Sequence, residues 1–290
     1  MGCKMSKRIS SVWIKAKAGS EEAASTARRV AKAFERRGVR VYVDEFLTKM
    51  LGGWEGLGDR EVDEGLIDLV VIVGGDGTLL RFFHSAKKPL PPILGINRNG
   101  IGFLYDYDWR YVEEAVEKVV KGDFYFQENK LGTIVLPKPH GKLLFVNEVI
   151  VGGKNFQLTR LEVSIDGEKV FRGRMDGIIV STAIGASGHA LSAGGPFVDL
   201  SLDLLLMVPI NPFSPLIKPF VVSASRQIEI VVYEDSVVTV DGVLFINIPP
   251  HSHLQAFLSN MPIRLVRFRN VSSLDRKIKS RLLDMPPWSL

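Results

Sequence analysis

The chain has 290 residues, 46% hydrophobic and 24% charged, an ordinary globular composition with length for about two domains. Its net charge of +5 is modest, and the denser basic groups (Arg28-Arg29, Arg36-Arg37 and 264–269) are too scattered for a nucleic-acid-binding stripe. Cys3 is the only cysteine, which excludes an intrachain disulfide or a cysteine metal site and fits a reducing compartment.

Lys4, Lys7 and Arg8 lead into no apolar stretch of the leader type. No segment approaches the roughly 20 uninterrupted apolar residues of a membrane helix. The nearest, 200–217, is broken by Asp203 and three prolines. These features predict a cytoplasmic protein that handles anionic small molecules, with no nucleic acid and no membrane as partner.

Residues 9–16 read as a first strand. Residues 20–37 read as an amphipathic helix, with Ser20 as cap, glutamates in the first turn and arginines in the last. Gly38 stops it, and 39–43 is a second strand. This β-α-β opening predicts a parallel sheet. The glycine-rich stretch 51–58 has no periodicity and reads as a surface loop or a flap. Residues 91–96 form another short buried strand, and Asp108 caps a helix running to about Val120.

Between these lies 69–80, LVVIVGGDGTLL. An apolar run suited to a strand buried on both faces ends in Gly74-Gly75-Asp76-Gly77-Thr78. A helix follows, with Thr78 near its N-cap. A glycine-rich turn between strand and helix lets backbone N–H groups approach a phosphate. A carboxylate there is unfavourable unless it handles a proton or a metal. Asp76 is therefore the candidate catalytic residue.

Beyond Gly122 the pattern changes to strands and turns, at 133–136, 143–151, 160–165, 169–172, 177–181, 227–233, 237–240, 244–248 and 263–268. The expected organisation is an α/β N-terminal domain with a parallel sheet (1–107) and a β-rich, sandwich-like C-terminal domain (108–262). The tail, 263–290, is expected to return to the first domain.

Asp-Gly occurs four times, at Asp76, Asp166, Asp176 and Asp241. Asp166 and Asp241 lie between alternating runs and read as two-residue hairpin turns. Asp176 leads into a strand that ends in small and hydroxyl-bearing residues, 181–189, where a ligand can come close to backbone. Asn147-Glu148 sits inside an apolar strand, where one of the two must point inward and find a partner. His251 and His253 have no acidic or cysteine cluster beside them and are not read as metal ligands. Walker A and G-x-G-x-x-G sequences are absent.

Together these stretches resemble the NAD kinase family. The resemblance rests on Gly74–Thr78, Leu94-Gly95-Ile96-Asn97 with 100–104 (GIGFL), Asn147-Glu148, Asp176-Gly177 running into Ser181-Thr182, 191–196 (LSAGGP), 209–212 (PINP) and Val240-Asp241-Gly242, in the family's order. It implies an α/β domain joined to a β-rich domain with NAD bound between them, often against a neighbouring subunit, hence a homodimer or homotetramer. It implies phosphoryl transfer from ATP or inorganic polyphosphate to the 2′-hydroxyl of the adenosine ribose of NAD. Asp76 then matches the proton acceptor. Gly74, Gly75, Gly77, Thr78 and Arg81 match positions around phosphates and dinucleotide. Asn147 and Glu148 match adenosine-side contacts, and Asp176 a nicotinamide-side contact. Arg174, Ser187, Gly188, His189 and Ser192 fall at further contact positions, and Phe103 and Asn211 at pocket walls. Mg2+ or another divalent cation arrives with the donor phosphates.

The chain departs from the family at 181–189 (STAIGASGH), with Ala183 for proline, Ile184 for threonine and His189 for tyrosine, and at Val243 for glutamine. His189 is expected to replace the tyrosine as a surface on which adenine stacks. A lipid kinase shares the 74–78 turn but should lack the 176–196 series. A phosphofructokinase-type sugar kinase needs a longer α/β half. A non-catalytic NAD-binding regulator would keep the pocket and lose the acid; Asp76 is present, and the altered loop at 183–189 keeps this alternative open.

Overall fold

The computed structural model describes residues 8–98 and 104–268. The tail expected to return to the first domain is, beyond 268, outside the described residues, as is Phe103. The chain divides into two compact units, one holding the described residues up to Glu128 and those from Ile263, the other Asn129–Pro262.

The first unit runs β1 (Ser11–Ala16), α1 (Glu21–Glu35), β2 (Arg40–Val43), α2 (Glu45–Leu51), β3 (Glu55–Gly56), β4 (Leu69–Gly74), α3 (Asp76–Ser85), β5 (Ile93–Asn97), β6 (Tyr107–Asp108) and α4 (Val112–Lys121). Its strands are parallel in the order β5-β4-β1-β2-β3, with β6 beside the end of β5. Every residue of β4 is buried, as expected of a central strand covered on both faces. Ser20 caps α1 by accepting the Ala23 N–H. Part of the expected 51–58 loop is ordered as β3 on the edge of β2.

The division falls later than the boundary expected near 107. The reason is α4, whose Val112, Ala115, Val116 and Val119 are buried with Ala27, Val30 and Phe34 of α1 in one core. Asp108 accepts the Arg110 N–H and caps the short 3₁₀ turn that leads into α4.

The second unit contains β7 (Tyr125–Leu136), β8 (Gly141–Phe145), β9 (Glu148–Gly153), β10 (Thr159–Ile165), β11 (Glu168–Met175), β12 (Gly177–Thr182), α5 (His189–Ser192), β13 (Leu204–Ile210), β14 (Phe220–Ser223), β15 (Ile228–Val232), β16 (Ser236–Val240), β17 (Leu244–Ile248) and the first part of β18 (His253–Arg267). One antiparallel set is β11-β10-β15-β18, with β7 and β8 as a hairpin. The second is β14-β13-β12-β9-β16-β17. Alternate residues of both sets, such as Val149, Val151, Ile178 and Val180 against Leu161, Val163, Ile230 and Leu254, share one buried core. Asp166-Gly167 and Asp241-Gly242 adopt positive φ in their hairpin turns, as read.

Several strand readings change: β7 and β18 start earlier than expected, at Tyr125 and His253, and β14 is not among the expected strands. The expected strand 143–151 is broken into β8 and β9. The apolar stretch 204–210 is a strand, β13, despite Pro209, which lies past Met207, the last residue paired with β14.

Candidate active site

β4 carries the chain into the turn at Gly74. A side-chain carbon on Gly74 would stand 2.6 Å from Thr78 Oγ1, so the tight return of the chain needs a glycine there. Gly75 is extended and is the N-cap, and Asp76 is the first residue of α3. The helix thus begins before the Thr78 cap predicted from sequence. A carboxylate at a helix N-terminus is favourable, so Asp76 helps to start α3. Thr78, the third helical residue, is buried.

Asp76 is half-buried and Gly77 exposed. The N–H groups of a helix's first turn have no acceptor within the helix, so the N–H of Gly77 is available to an anion. The Arg81 guanidinium would lie 3.7 Å from a side-chain carbon placed on Gly77. One turn thus brings together Gly74, Gly75, Asp76, Gly77, Thr78 and Arg81. Behind it sits Tyr105, whose hydroxyl donates to the Gly75 carbonyl at 2.9 Å. Burial, and then the charge of Asp76, push the Tyr105 hydroxyl well above its usual pKa.

In the second unit, the strand break lies at Asn147-Glu148. The carboxylate of Asp241, 5% exposed, accepts the N–H of Val146 at 2.8 Å, of Asn147 at 2.7 Å and of Glu148 at 3.1 Å. These amides turn to a side chain instead of a neighbouring strand, which ends β8 and starts β9. Asp241 is therefore more than a turn residue, a role that a hairpin signal in the sequence does not reveal. Glu148 lies against it. Burial, and then the Asp241 charge, push the Glu148 carboxyl up to about 8.

The 3₁₀ turn at Gly185–Ser187 closes on this break. A side-chain carbon on Gly185 would be 2.2 Å from the Asn147 carbonyl, and one on Gly188 would be 3.9 Å from Glu148 Oε2. Ala183 and Ile184, the departures from the family pattern, are buried at 5% and 3% exposure. Ser187 is also buried, and Ser192 is exposed with its hydroxyl toward the Gly188 carbonyl.

On the face of the second sheet away from the core, a cavity of about 530 Å³ is lined by Ile150, Val237, Thr239 and Phe245, with Asp176 and His189 at its rim. Period-two alternation explains it, because Val149, Val151, Val238 and Val240 are the core-facing neighbours of these residues. Asn211 donates to Asp176 Oδ2 at 2.8 Å, so it braces a lining residue and does not itself line the cavity. Arg174 is exposed, and its carbonyl accepts the Phe213 N–H. His251 packs edge-on against Tyr233. Among the described residues, no group of three or more His, Cys, Asp or Glu is placed to hold a metal ion, and no helix is long and apolar enough to cross a membrane.

The sequence profile of the ATP-NAD kinase N-terminal domain matches residues 12–124, and that of the ATP-NAD kinase C-terminal domain matches 146–268. The chain is 35% identical to an NAD kinase of Thermococcus gammatolerans, over 83% of this chain and 92% of that one. It is 34% identical to an NAD kinase of Thermococcus kodakarensis, over 90% and 95%. An NAD kinase from Archaeoglobus fulgidus, solved in complex with ATP, superposes with a TM-score of 0.75 at 28% identity, over 93% of this chain and 99% of that one. The matches run through both halves, and the lipid-kinase alternative has no support in them. On these matches and on the turn that carries Asp76, the chain belongs to the ATP-NAD kinase family.

Proposed function

We propose that this chain transfers the terminal phosphoryl group of ATP or of inorganic polyphosphate to the 2′-hydroxyl of the adenosine ribose of NAD, making NADP. The observation that carries the mechanism is the pairing, in one turn, of a half-buried carboxylate, Asp76, with two groups that attract phosphate, the exposed Gly77 N–H and the Arg81 guanidinium. The ribose oxygen attacks the terminal phosphorus, the bond to the bridging oxygen breaks, and ADP or a shortened polyphosphate leaves. Asp76 aligns the hydroxyl and accepts its proton. In a loose transition state, alignment and charge neutralisation contribute more than early deprotonation. A divalent cation such as magnesium, carried in on the donor phosphates, supplies further charge neutralisation there.

Asn147 and Glu148 are assigned to the adenosine side of NAD, with His189 as a surface for adenine, and Asp176 to its nicotinamide side; Arg174, Ser187, Gly188 and Ser192 are further contacts, with Asn211 and Phe103 around them. The apolar cavity that Asp176 and His189 help to line supports the assignment of these two. A cytoplasmic homodimer or homotetramer completes the reading. Phe213 and Leu216 of the second unit, 82% and 86% exposed, are apolar surface that an assembly between copies would cover.

The test is purified protein with NAD, magnesium and either ATP or polyphosphate, scored for NADP with an NADP-specific dehydrogenase. NADP formed with at least one donor is expected. Binding of NAD without NADP from either donor would turn the reading to a non-catalytic regulator.

A further inference from the structure

The helix that presents Asp76 has no side-chain cap. In α1 and α2 the caps are side chains: Ser20 accepts the Ala23 N–H at 3.2 Å, and Asp44 accepts the Leu47 N–H at 2.8 Å. The carbonyl of each cap also accepts the amide four residues on, from Ala24 at 3.0 Å and from Thr48 at 2.9 Å. At α3 the cap is Gly75, which has no side chain to offer. Its carbonyl accepts the Thr78 N–H, three residues on, at 2.8 Å, and the Tyr105 hydroxyl at 2.9 Å. Tyr105 therefore braces the start of α3 at the Gly75 carbonyl, and it does so from outside the helix and its turn.

The ring reaches this position because β5 leaves room for it. A side-chain carbon on Gly95 would be 1.8 Å from the Tyr105 ring, so the ring occupies the space that any other residue's side chain would fill. Tyr105 is 5% exposed. Its hydroxyl stays protonated, and so stays a donor, across the neutral range. A buried ring wedged over Gly95 with its hydroxyl on the Gly75 carbonyl has little freedom, and neither has the peptide joining Gly75 to Asp76.

We propose that Tyr105 is a positioning residue for phosphoryl transfer: its hydroxyl locks the Gly75–Asp76 peptide and so fixes the Asp76 carboxylate and the first-turn amides in their working orientation. This deepens the NAD kinase reading and rests on it. Phosphoryl transfer depends on alignment, and a displacement of about 1 Å can cost roughly 100-fold in rate. A peptide freed from one of its two carbonyl bonds turns more easily, and Asp76 turns with it.

The test is Tyr105→Phe, which keeps the ring over Gly95 and removes only the hydroxyl. The expected result is a kcat about 10- to 100-fold lower with KM for NAD and for ATP within about twofold of wild type. The discriminating measurement is a double-mutant cycle with Asp76→Asn. If Tyr105 acts through Asp76, adding Tyr105→Phe to Asp76→Asn lowers kcat little further. A merely structural tyrosine would lower both backgrounds by the same factor, and that result overturns the proposal. So does a Tyr105→Phe kcat within about twofold of wild type. Gly95→Ala provides an independent route, since it displaces the ring without altering the hydroxyl. The same loss of kcat at unchanged KM is expected, and full activity in a folded Gly95→Ala protein overturns the proposal even if Tyr105→Phe fails to fold. A wild type that makes no NADP defeats the NAD kinase reading itself, whereas an active wild type with an equally active Tyr105→Phe defeats only the role of Tyr105.

Discussion

Asp76 and Glu148 are two carboxylates set in opposite surroundings. Asp76 is half-buried at the first position of α3, where a helix end favours negative charge. Glu148 is held against a second carboxylate, that of Asp241, and is pushed up to about 8. The backbone explains the difference. At the turn, the first amides of a helix start have no acceptor within the helix, and Gly77 is exposed. At the strand break, the amides of Val146, Asn147 and Glu148 are already taken by Asp241. The first region leaves the Gly77 N–H for the donor phosphate of the proposed reaction. The second spends its amides on itself and leaves Glu148 as a neutral acid that can donate a hydrogen bond near neutral pH.

The contrast breaks first at Asp76. Asp76→Asn keeps a polar side chain of the same size and removes the proton acceptor. Turnover should fall about 100- to 10,000-fold with NAD binding retained, since that is the usual range for a general base. Steady-state kinetics beside a direct NAD titration will show it, and near-normal turnover would remove Asp76 from the mechanism.

The strand break should fail next, through stability. Asp241→Ala leaves three backbone donors without their acceptor and places an alanine at a φ of 52°. A buried donor left unsatisfied costs about 1–3 kcal/mol, so a loss of roughly 3 kcal/mol or more is expected in urea unfolding. Asp241→Asn keeps an acceptor oxygen and tolerates positive φ, and should lose less. Equal stability of wild type and Asp241→Ala would show that the clamp is not structural.

Sequence order and turn chemistry made much of this site legible. A buried run ending in glycines, with an acid before a helix, is a local signal, and the turn lies where it was read. The hairpins at Asp166 and Asp241 are equally local. What escaped is what depends on distant partners. Tyr105 carries no pattern of its own, one residue past a recognisable stretch, and acquires its meaning only when it reaches Gly75. The three-amide grip of Asp241 spans 93–95 residues and turned one expected strand into two. Thr78 looked like a cap because threonines often are. The actual cap is a glycine, with no side-chain cap, and the Gly75 carbonyl is held by the Tyr105 hydroxyl instead. The strand β13 escaped because its apolar run with Pro209 has no alternation, being buried along nearly its whole length.

Glu148 makes a prediction in pH. The folded protein holds its proton up to about pH 8, whereas the ordinary value is 4.5, so between these limits the folded state binds the extra proton. The stability that this contributes is complete below about pH 4.5 and is lost as the pH rises through about 8. Unfolding free energies of Glu148→Gln should therefore fall less than those of wild type across that window. Parallel curves for the two proteins would place the Glu148 carboxyl in solvent.

The smallest effect is expected at His189. It is exposed at the rim of the 530 Å³ cavity, on the first residue of α5, and so is free to meet a planar ring without rearrangement of the core. An aromatic contact contributes about 0.5–1.5 kcal/mol beyond burial. His189→Ala should therefore raise KM for NAD by roughly 2- to 10-fold and leave kcat nearly unchanged. His189→Tyr offers a larger face at the same site and should recover or exceed wild-type affinity. A KM unmoved by His189→Ala would mean that adenine stacks elsewhere. A fall in kcat at constant KM would instead assign His189 to the reacting end of the substrate, the opposite of the placement argued from the cavity.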